Sequence, residues 1–409
     1  MSRFFAALLH AARCVLRQRR RTAIAAGAIA FGVTALILAG GFIEWIFWAT
    51  RQGTIQSGIG HITVTRTGSR DGGAADPARY RLPAESPVLE ELRASPDVRT
   101  VAPRLSFSGL ISVGETTLSF LGEGVHPESE SDFGDVSVVS AGEELSSSSP
   151  RGVLLGSGLA ANLEARVGDT VVFLVNSPGG GVNAVEGEVR GLMTTVSKAN
   201  DDIAARMPLP MAQQLLRVSD VDRWVVVLND TEATNAQLER LKQHYQRERL
   251  EFTPWHELSD FYNKTVTLLS RQMDVMFAII GVIIVLTISN SMMMGVMERT
   301  AEIGTAMALG TRRSGVLVQF LGEGALLGLV GGLAGASVGV VLAFVISLIG
   351  IPMPPPPGQA RGFTAEMIVT APLVAQAVLL ALVTALVAAV YPAWKASRTP
   401  IVDALRAGR

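Results

Sequence analysis

The chain has 409 residues and a formal net charge of −1; 48% of residues are hydrophobic, only 17% are charged, and mean hydropathy is +0.35. That mixture excludes a disordered chain, which needs low hydrophobicity and high net charge, and 41 glycines without a three-residue period exclude a collagen-like fold. The single cysteine, Cys14, excludes an intrachain disulfide and a zinc site built from cysteines.

In chain order, Phe4, Phe5, Leu8, Leu9, Ala12, Val15 and Leu16 recur at helical spacing ahead of Arg17 and Arg19. The pattern predicts an amphipathic helix lying on membrane lipid, although a plain extension of the next segment fits the same residues. Thr22–Ile43 then runs without a charged residue, long enough to cross a bilayer core about 30 Å thick. Arg19-Arg20-Arg21 before an apolar run is also how a signal peptide begins. Here the run is about twice the usual length, and Glu44-Trp45-Ile46-Phe47-Trp48 replaces a small-residue cleavage site, so a retained helix is expected.

Residues 49–270 hold 20 basic and 29 acidic residues and read as mixed α/β. His61–Arg66 and the start of Glu186–Met193 alternate as half-buried strands do, while Val171–Val175 and Trp224–Leu228 are short β-branched runs suited to deeper burial. Ser86–Ser95 and Thr231–Arg249 read as helices; Gly156-Ser157-Gly158 places Ser157 as a helix N-cap. Ser146–Pro150 and Ser177–Gly181 carry turn signals. We expect two subdomains, one from about 53–105 and 200–268, the other inserted at about 106–199. Residues 254–271 are expected to form one helix leading into the next span.

Three further apolar stretches follow: Val275–Met297, Ser314–Ile351 and Met367–Trp394. Only Glu323 interrupts them with an ionisable group, at a depth of roughly 13 Å, where a carboxylate is costly unless it is paired or protonated. No cation lies within the spans, so inter-helix hydrogen bonding is expected for it. Gly324, Gly328 and Gly332, with Gly331, Gly335 and Gly339, form two four-spaced sets that allow helices to approach closely. Met353–Pro357 reads as a stiff polyproline link. Around the spans, the N-terminal piece, the 298–313 loop and the C-terminal tail carry 13 basic against 3 acidic residues. Basic flanks face the cytoplasm. Both termini and the 298–313 loop are therefore expected inside, and the acidic 49–270 segment outside.

Catalytic and ligand-binding motifs are missing. None of the four lysines follows glycine as in a phosphate-binding P-loop, G-x-S-x-G is not matched, and the five histidines lack metal-ligand spacing. We therefore expect no catalytic residue, no bound metal and no cofactor, and no nucleic-acid partner, because the basic residues are spent at membrane edges. What remains is Glu298–Arg313, a short amphipathic stretch between spans. It predicts a helix over 298–310 with Gly310 as its C-terminal cap.

That stretch reads E-R-T-x-E-I-G-x-x-x-A-L-G-x-x-R-R, which resembles the signature of the FtsX-like ABC permeases, also called type VII or the MacB/LolC–LolE superfamily. The tail from Tyr391 to Arg406, with Pro392, Pro400, Leu405 and Arg406, is similar to that family's closing motif; Trp394 departs from it. The resemblance implies an α+β membrane protein with four transmembrane helices in a 1 + 3 arrangement: residues 1–48 with the first span, a periplasmic domain at 49–270 with porter-like and sabre-like parts, and 271–409 with the other spans. It implies a coupling helix seated on a separate ABC ATP-binding subunit, itself a dimer that binds ATP and Mg. Glu298, Arg299, Glu302, Gly304, Gly310, Arg312 and Arg313 would form the contact, with Ile303 and Leu309 as apolar anchors. The expected protein is a multi-pass permease subunit of the bacterial inner membrane, paired with a second copy or a paralogue. It would work by mechanotransmission, moving or releasing a lipoprotein or other amphiphilic cargo. The chain length and the lack of a fused ATPase resemble the lipoprotein-release subunits, in which Ser177, Pro178, Gly179 and Gly180 would form a hairpin meeting a periplasmic carrier. Two alternatives stay open: a MacB-like efflux component with a periplasmic adaptor, and an FtsX-like regulator of a cell-wall hydrolase.

Overall fold

The computed structural model of the chain describes residues 19–72, 77–130, 133, 138–195, 198–354, 363–398 and 400. The expected amphipathic helix at 4–16 and most of the proline-rich link lie outside these residues. The chain divides into two compact units: a helical one built from the segments ending at Phe47, Thr265–Pro352 and the segment from Thr364 onward, and an α/β one built mainly from Trp48–Lys264.

Helix α1 (Arg19–Thr54) opens the described chain. The α/β unit then contributes β1 (Ile62–Arg66), α2 (Pro87–Ala94), β2 (Val98–Val113), β3 (Thr116–Val125), β4 (Val138–Gly142), β5 (Gly152–Gly156), α3 (Ser157–Leu163), β6 (Thr170–Asn176), β7 (Val182–Thr194), β8 (Ala204–Pro208), α4 (Leu209–Leu216), β9 (Arg223–Leu228), α5 (Thr234–His244) and β10 (Leu250–Pro254). Local chemistry sets several boundaries. The Ser86 hydroxyl accepts the Leu89 N–H at 3.1 Å and Pro87 sits in the first turn, which starts α2. Val113 pairs with Thr116, so Gly114-Glu115 is a two-residue turn, and Gly114 takes the positive φ (57°) that it requires.

Strands β10, β1, β9 and the first half of β2 form an antiparallel sheet; Val64 lies opposite Trp224 and Phe252 in the centre of it. The second half of β2 leaves that sheet and pairs with β3. The ladder continues from β3 to β8 (parallel), to β5 (antiparallel), to β7 (parallel), to β6 (antiparallel) and back to β2, closing a ring of six strands. β4 pairs with residues 191–194 of β7, beyond the stretch taken by β6. Phe120 and Phe173, both buried, meet edge to face at 5.0 Å in the core.

This topology changes the expected division. β8 falls after residue 200, yet it pairs in parallel with β3, Glu123 lying opposite Arg206, and its Ala205 and Met207 are buried in the ring. The chain rejoins the first sheet only at β9. Ser157 is not the cap of α3: Gly156 holds that position, and the Ser157 hydroxyl donates to the Met193 carbonyl at 3.1 Å. The expected helix over 254–271 is two. One turn, Trp255–Leu258, ends at Ser259, whose backbone is non-helical (φ −115°, ψ 86°), and the Ser259 hydroxyl then accepts the Tyr262 N–H at 3.2 Å to start the next helix.

Where β2 passes from sheet to ring, a cluster of ions is buried. Arg104, fully buried, donates to Glu123 at 2.6 Å and to Glu130 at 2.7 Å, and its guanidinium lies 4.6 Å from the Phe133 ring centre. Arg223 reaches the other Glu123 oxygen at 2.7 Å, and Arg206 stands 3.4 Å from Glu123. Burial opposes ionisation of Glu123, but Arg104, Arg223 and Arg206 outweigh it and hold the carboxyl at about 2.

The helical unit is completed by α6 (Asp260–Glu298), α7 (Thr300–Ala308), α8 (Arg313–Ile349) and α9 (Ala371–Ser397). Among the described residues, α1, α6, α8 and α9 are long and apolar enough to cross a membrane. α8 lies between two of the others, and its glycines show why. A Cβ at Gly324 or Gly328 would fall 2.6 Å from the Cβ of Ala389 or Ala385 on α9. On the other side of α8, a Cβ at Gly331 would fall 2.8 Å from that of Ile29, and one at Gly339 3.1 Å from that of Ile37, both on α1. Both glycine sets are thus used within one chain. Thr34 donates to the Gly335 carbonyl at 3.0 Å across the α1 contact.

Two outcomes follow. Gly328→Leu must push α9 off α8, so the purified chain should lose yield and thermal midpoint, whereas Gly27→Ala, with nothing within 4 Å, should change neither; equal behaviour of the two in a thermal melt would contradict the contact. The second concerns His61. It is buried, its Nδ1 accepts the Leu228 N–H at 3.1 Å, and its Nε2 bonds to the Thr231 hydroxyl at 3.0 Å. Burial first, then Arg51 and Arg99, lower its pKa to about 4 against the opposing pull of Asp230. An unfolded histidine takes up its proton near pH 6.5, so the stability conferred by the neutral ring is complete above that pH and drains away toward pH 4. Protection factors of amides in β1 and β9, measured against the intrinsic exchange rate at each pH, should therefore fall between pH 7 and pH 5, and His61→Asn should flatten that response.

Candidate coupling site

The loop between α6 and α8 is a formed element rather than a turn. α6 ends at Glu298, the chain bends at Arg299 (φ −104°, ψ 13°), and α7 follows. The expected single helix over 298–310 is thus the end of one helix and the whole of another. The Thr300 hydroxyl, bonded to the Val296 and Met297 carbonyls at 2.9 and 3.0 Å, secures the bend. At the other end, the Gly310 N–H donates to the Met307 carbonyl (3.1 Å) and the Thr311 N–H to the Ala306 carbonyl (3.0 Å). This is a Schellman closure, and Gly310 supplies its left-handed residue at φ 100°.

One face of α7 is turned into the helical core. Ile303, Gly304 and Met307 are buried together with Val296, Val316 and Phe320. Ile303, expected as an outward anchor, is therefore internal. The other face and the cap are open: Glu302 is exposed, Leu309 is 84% exposed, and Gly310, Arg312 and Arg313 are exposed. Glu298, at the end of α6, is exposed as well.

Arg299 and Glu323 change roles. The Arg299 side chain is only 17% exposed and donates through Nη1 to both Glu323 oxygens at 3.1 and 3.4 Å; its Nε stands 3.5 Å from Glu302. Its guanidinium lies 5.9 Å from the Phe320 ring centre. Glu323 therefore has a cation after all, supplied from the bend rather than from a span. The two residues are 24 apart in sequence, and no local pattern links them. Met307 was also missed, although Ile303 and Met307 share a face at i, i+4.

Of the closing motif, Pro392 is buried inside α9, Pro400 is exposed, and Leu405 and Arg406 lie outside the described residues. Trp394 stacks near Tyr391 (ring centres 6.5 Å apart) and has the Arg398 guanidinium 4.7 Å above it. In the α/β unit, Ser177–Gly181 is the turn of the β6–β7 hairpin. Ser177 is buried and donates to the Leu216 carbonyl at 3.0 Å, while Pro178, Gly179 and Gly180 project into solvent. Among the described residues, no three His, Cys, Asp or Glu side chains are grouped to hold a metal ion.

The family model described as MacB-like periplasmic core domain matches residues 22–244, more than half of the chain, and the one described as FtsX-like permease C-terminal matches residues 275–401. Among curated relatives, the macrolide export ATP-binding/permease protein MacB of Syntrophobacter fumaroxidans is 30% identical over 209 residues, covering 49% of this chain and 27% of that protein. The protein of the same name from Escherichia coli (strain K12) is 34% identical over 161 residues, 37% of this chain and 23% of its own length. The alignments thus span about a quarter of these relatives. The solved periplasmic region of MacB from Actinobacillus actinomycetemcomitans is 17% identical, with 49% of this chain and 91% of that one covered and a TM-score of 0.36. The chain belongs to the FtsX-like, MacB-type family of ABC transporter permeases.

Proposed function

We propose that the chain is the membrane subunit of an ATP-driven machine in which hydrolysis takes place on a separate ABC subunit and α7 receives the stroke. The observation that carries this reading is the two-sided character of α7. A helix pinned to a core by Ile303, Gly304 and Met307, with Glu302, Leu309, Arg312 and Arg313 turned outward, suits a specific and stiff docking element. Charge-assisted bonds from Glu302, Arg312 and Arg313 would surround an apolar anchor at Leu309. Glu298 would lie beside them. ATP and Mg would bind to the partner dimer, and a second permease copy or paralogue would complete the membrane part.

The segregation of charge supports an orientation with both termini and α7 on the cytoplasmic side of a bacterial inner membrane and the α/β unit outside. On this reading movement of the α/β unit does the work, and cargo is a lipoprotein or another amphiphile handled at the outer face. A second reading, favoured by relatives named for macrolide and pyoverdine export, is the expulsion of small amphiphilic compounds through a periplasmic adaptor. In either case Pro178–Gly180 offers a tip for the carrier or adaptor.

Two measurements test the proposal. Glu302→Lys reverses a charge on the docking face without touching the core, so ATPase activity of the assembled complex should continue while transport falls at least about tenfold, a loss of roughly 1.4 kcal/mol in coupling; unchanged transport would refute docking through this face. A tag inserted at Gly180 should be accessible in intact spheroplasts, and a C-terminal tag only after permeabilisation; the reverse pattern would overturn the orientation.

A further inference from the structure

The geometry points to Arg299 and Glu323 as a positioning pair that fastens the coupling helix to α8, rather than as a docking contact and a stray intramembrane acid. The inference rests on the reading that α7 receives the stroke. Three observations carry it. Arg299 occupies the bend between α6 and α7, where a side chain can set how α7 leaves α6, and its guanidinium is turned inward onto Glu323. Glu323 stands ten residues into α8, roughly 15 Å along that helix, next to Gly324, which seats α9. Phe320 lies one turn earlier on α8, beside both the Arg299 guanidinium and the apolar face of α7.

In an apolar interior a carboxylate left without its cation is strongly unfavourable, so each member of such a pair holds the other in place. The apolar contacts of Ile303 and Met307 are non-directional and would let α7 slide or rotate. Two hydrogen bonds from one guanidinium nitrogen to one carboxylate fix a direction. With α7 fixed to α8, a displacement of α7 is passed to α8 instead of being absorbed in the 309–312 turn. α8 meets α1 and α9 with almost no side chain between the backbones, so it passes the displacement on. Glu302, at 3.5 Å from Arg299, is exposed and remains available to a partner.

The test reads the seat of α7 directly and needs no ATP-binding partner. In a Cys14→Ser background, thiols are introduced one at a time by Met307→Cys, on the buried face, and Leu309→Cys, on the exposed cap, and their labelling by a polar maleimide is timed in the full-length purified chain. With the pair intact, the thiol at 307 should react at least about tenfold more slowly than the one at 309. Glu323→Ala should bring the rate at 307 close to that at 309 while leaving 309 unchanged, and the exchange Arg299→Glu with Glu323→Arg should restore the slow rate. No change at 307 in Glu323→Ala would overturn the inference, and so would failure of the exchange to restore protection. Should Glu323→Ala not accumulate, the exchange decides by yield: recovery over both single variants supports the pair, and yields as poor as theirs reject it. Labelling is independent of docking, so a negative result here leaves the coupling proposal standing, and failure of Glu302→Lys to uncouple leaves the pair standing.

Discussion

Lipid chains are as apolar as leucine, so transmembrane helices gain little by hiding apolar side chains from them. They associate by close packing and by hydrogen bonds between backbones brought near each other. The helical unit depends on that constraint. α8 offers Gly324, Gly328 and Gly332 to α9 and Gly331, Gly335 and Gly339 to α1. α9 answers with Ala377, Ala381, Ala385 and Ala389, all buried, so small faces small over several turns. The larger side chains are displaced to the outside: Val275, Val282 and Leu286 on α6, and Val341, Phe344 and Leu348 on α8, are exposed on the surface of the unit. Three helices held at backbone distance respond to a push together, because close-packed interiors compress little.

In both units a buried charge is met by opposite charge. Arg104 in the α/β unit is fully buried and finds two carboxylates; Glu323 in the helical unit is nearly buried and finds one guanidinium. The settings differ in kind. Around Arg104, three arginines and two glutamates from β2, β3, β8, β9 and the 127–130 turn form a network at the point where one strand is shared by sheet and ring. Such a network specifies how those strands meet. Arg299 and Glu323 form a single link at a bend, which leaves α7 its open face.

Much of this architecture was legible in the sequence. Four apolar runs, interrupted by Glu323 alone among acidic and basic residues, mark four long helices because a bilayer imposes a length well beyond that of a strand. Trp224–Leu228 and Val171–Val175 read as buried strands because β-branched runs of that length fit little else. The hairpin of β2 and β3 was not read, since Ser106-Phe107-Ser108-Gly109-Leu110 breaks its alternation and Gly109 gives no apolar signal. β8 could not be assigned to the ring, because parallel pairing with β3 joins residues some 83 positions apart. At the coupling site, the cap at Gly310 was readable from local chemistry. The inward turn of Arg299 was not, because its partner lies on another helix and an arginine beside Glu298 and Glu302 is just as consistent with a solvated face.

The central claim is that a nucleotide-hydrolysing polypeptide sits against the exposed cap of α7. A photo-reactive amino acid placed at Leu309, irradiated in native membranes and followed by mass spectrometry of the adducts, tests that contact at single-residue range. The account predicts a dominant adduct with an ABC ATP-binding polypeptide, and adducts with lipid or with no protein at all would contradict it.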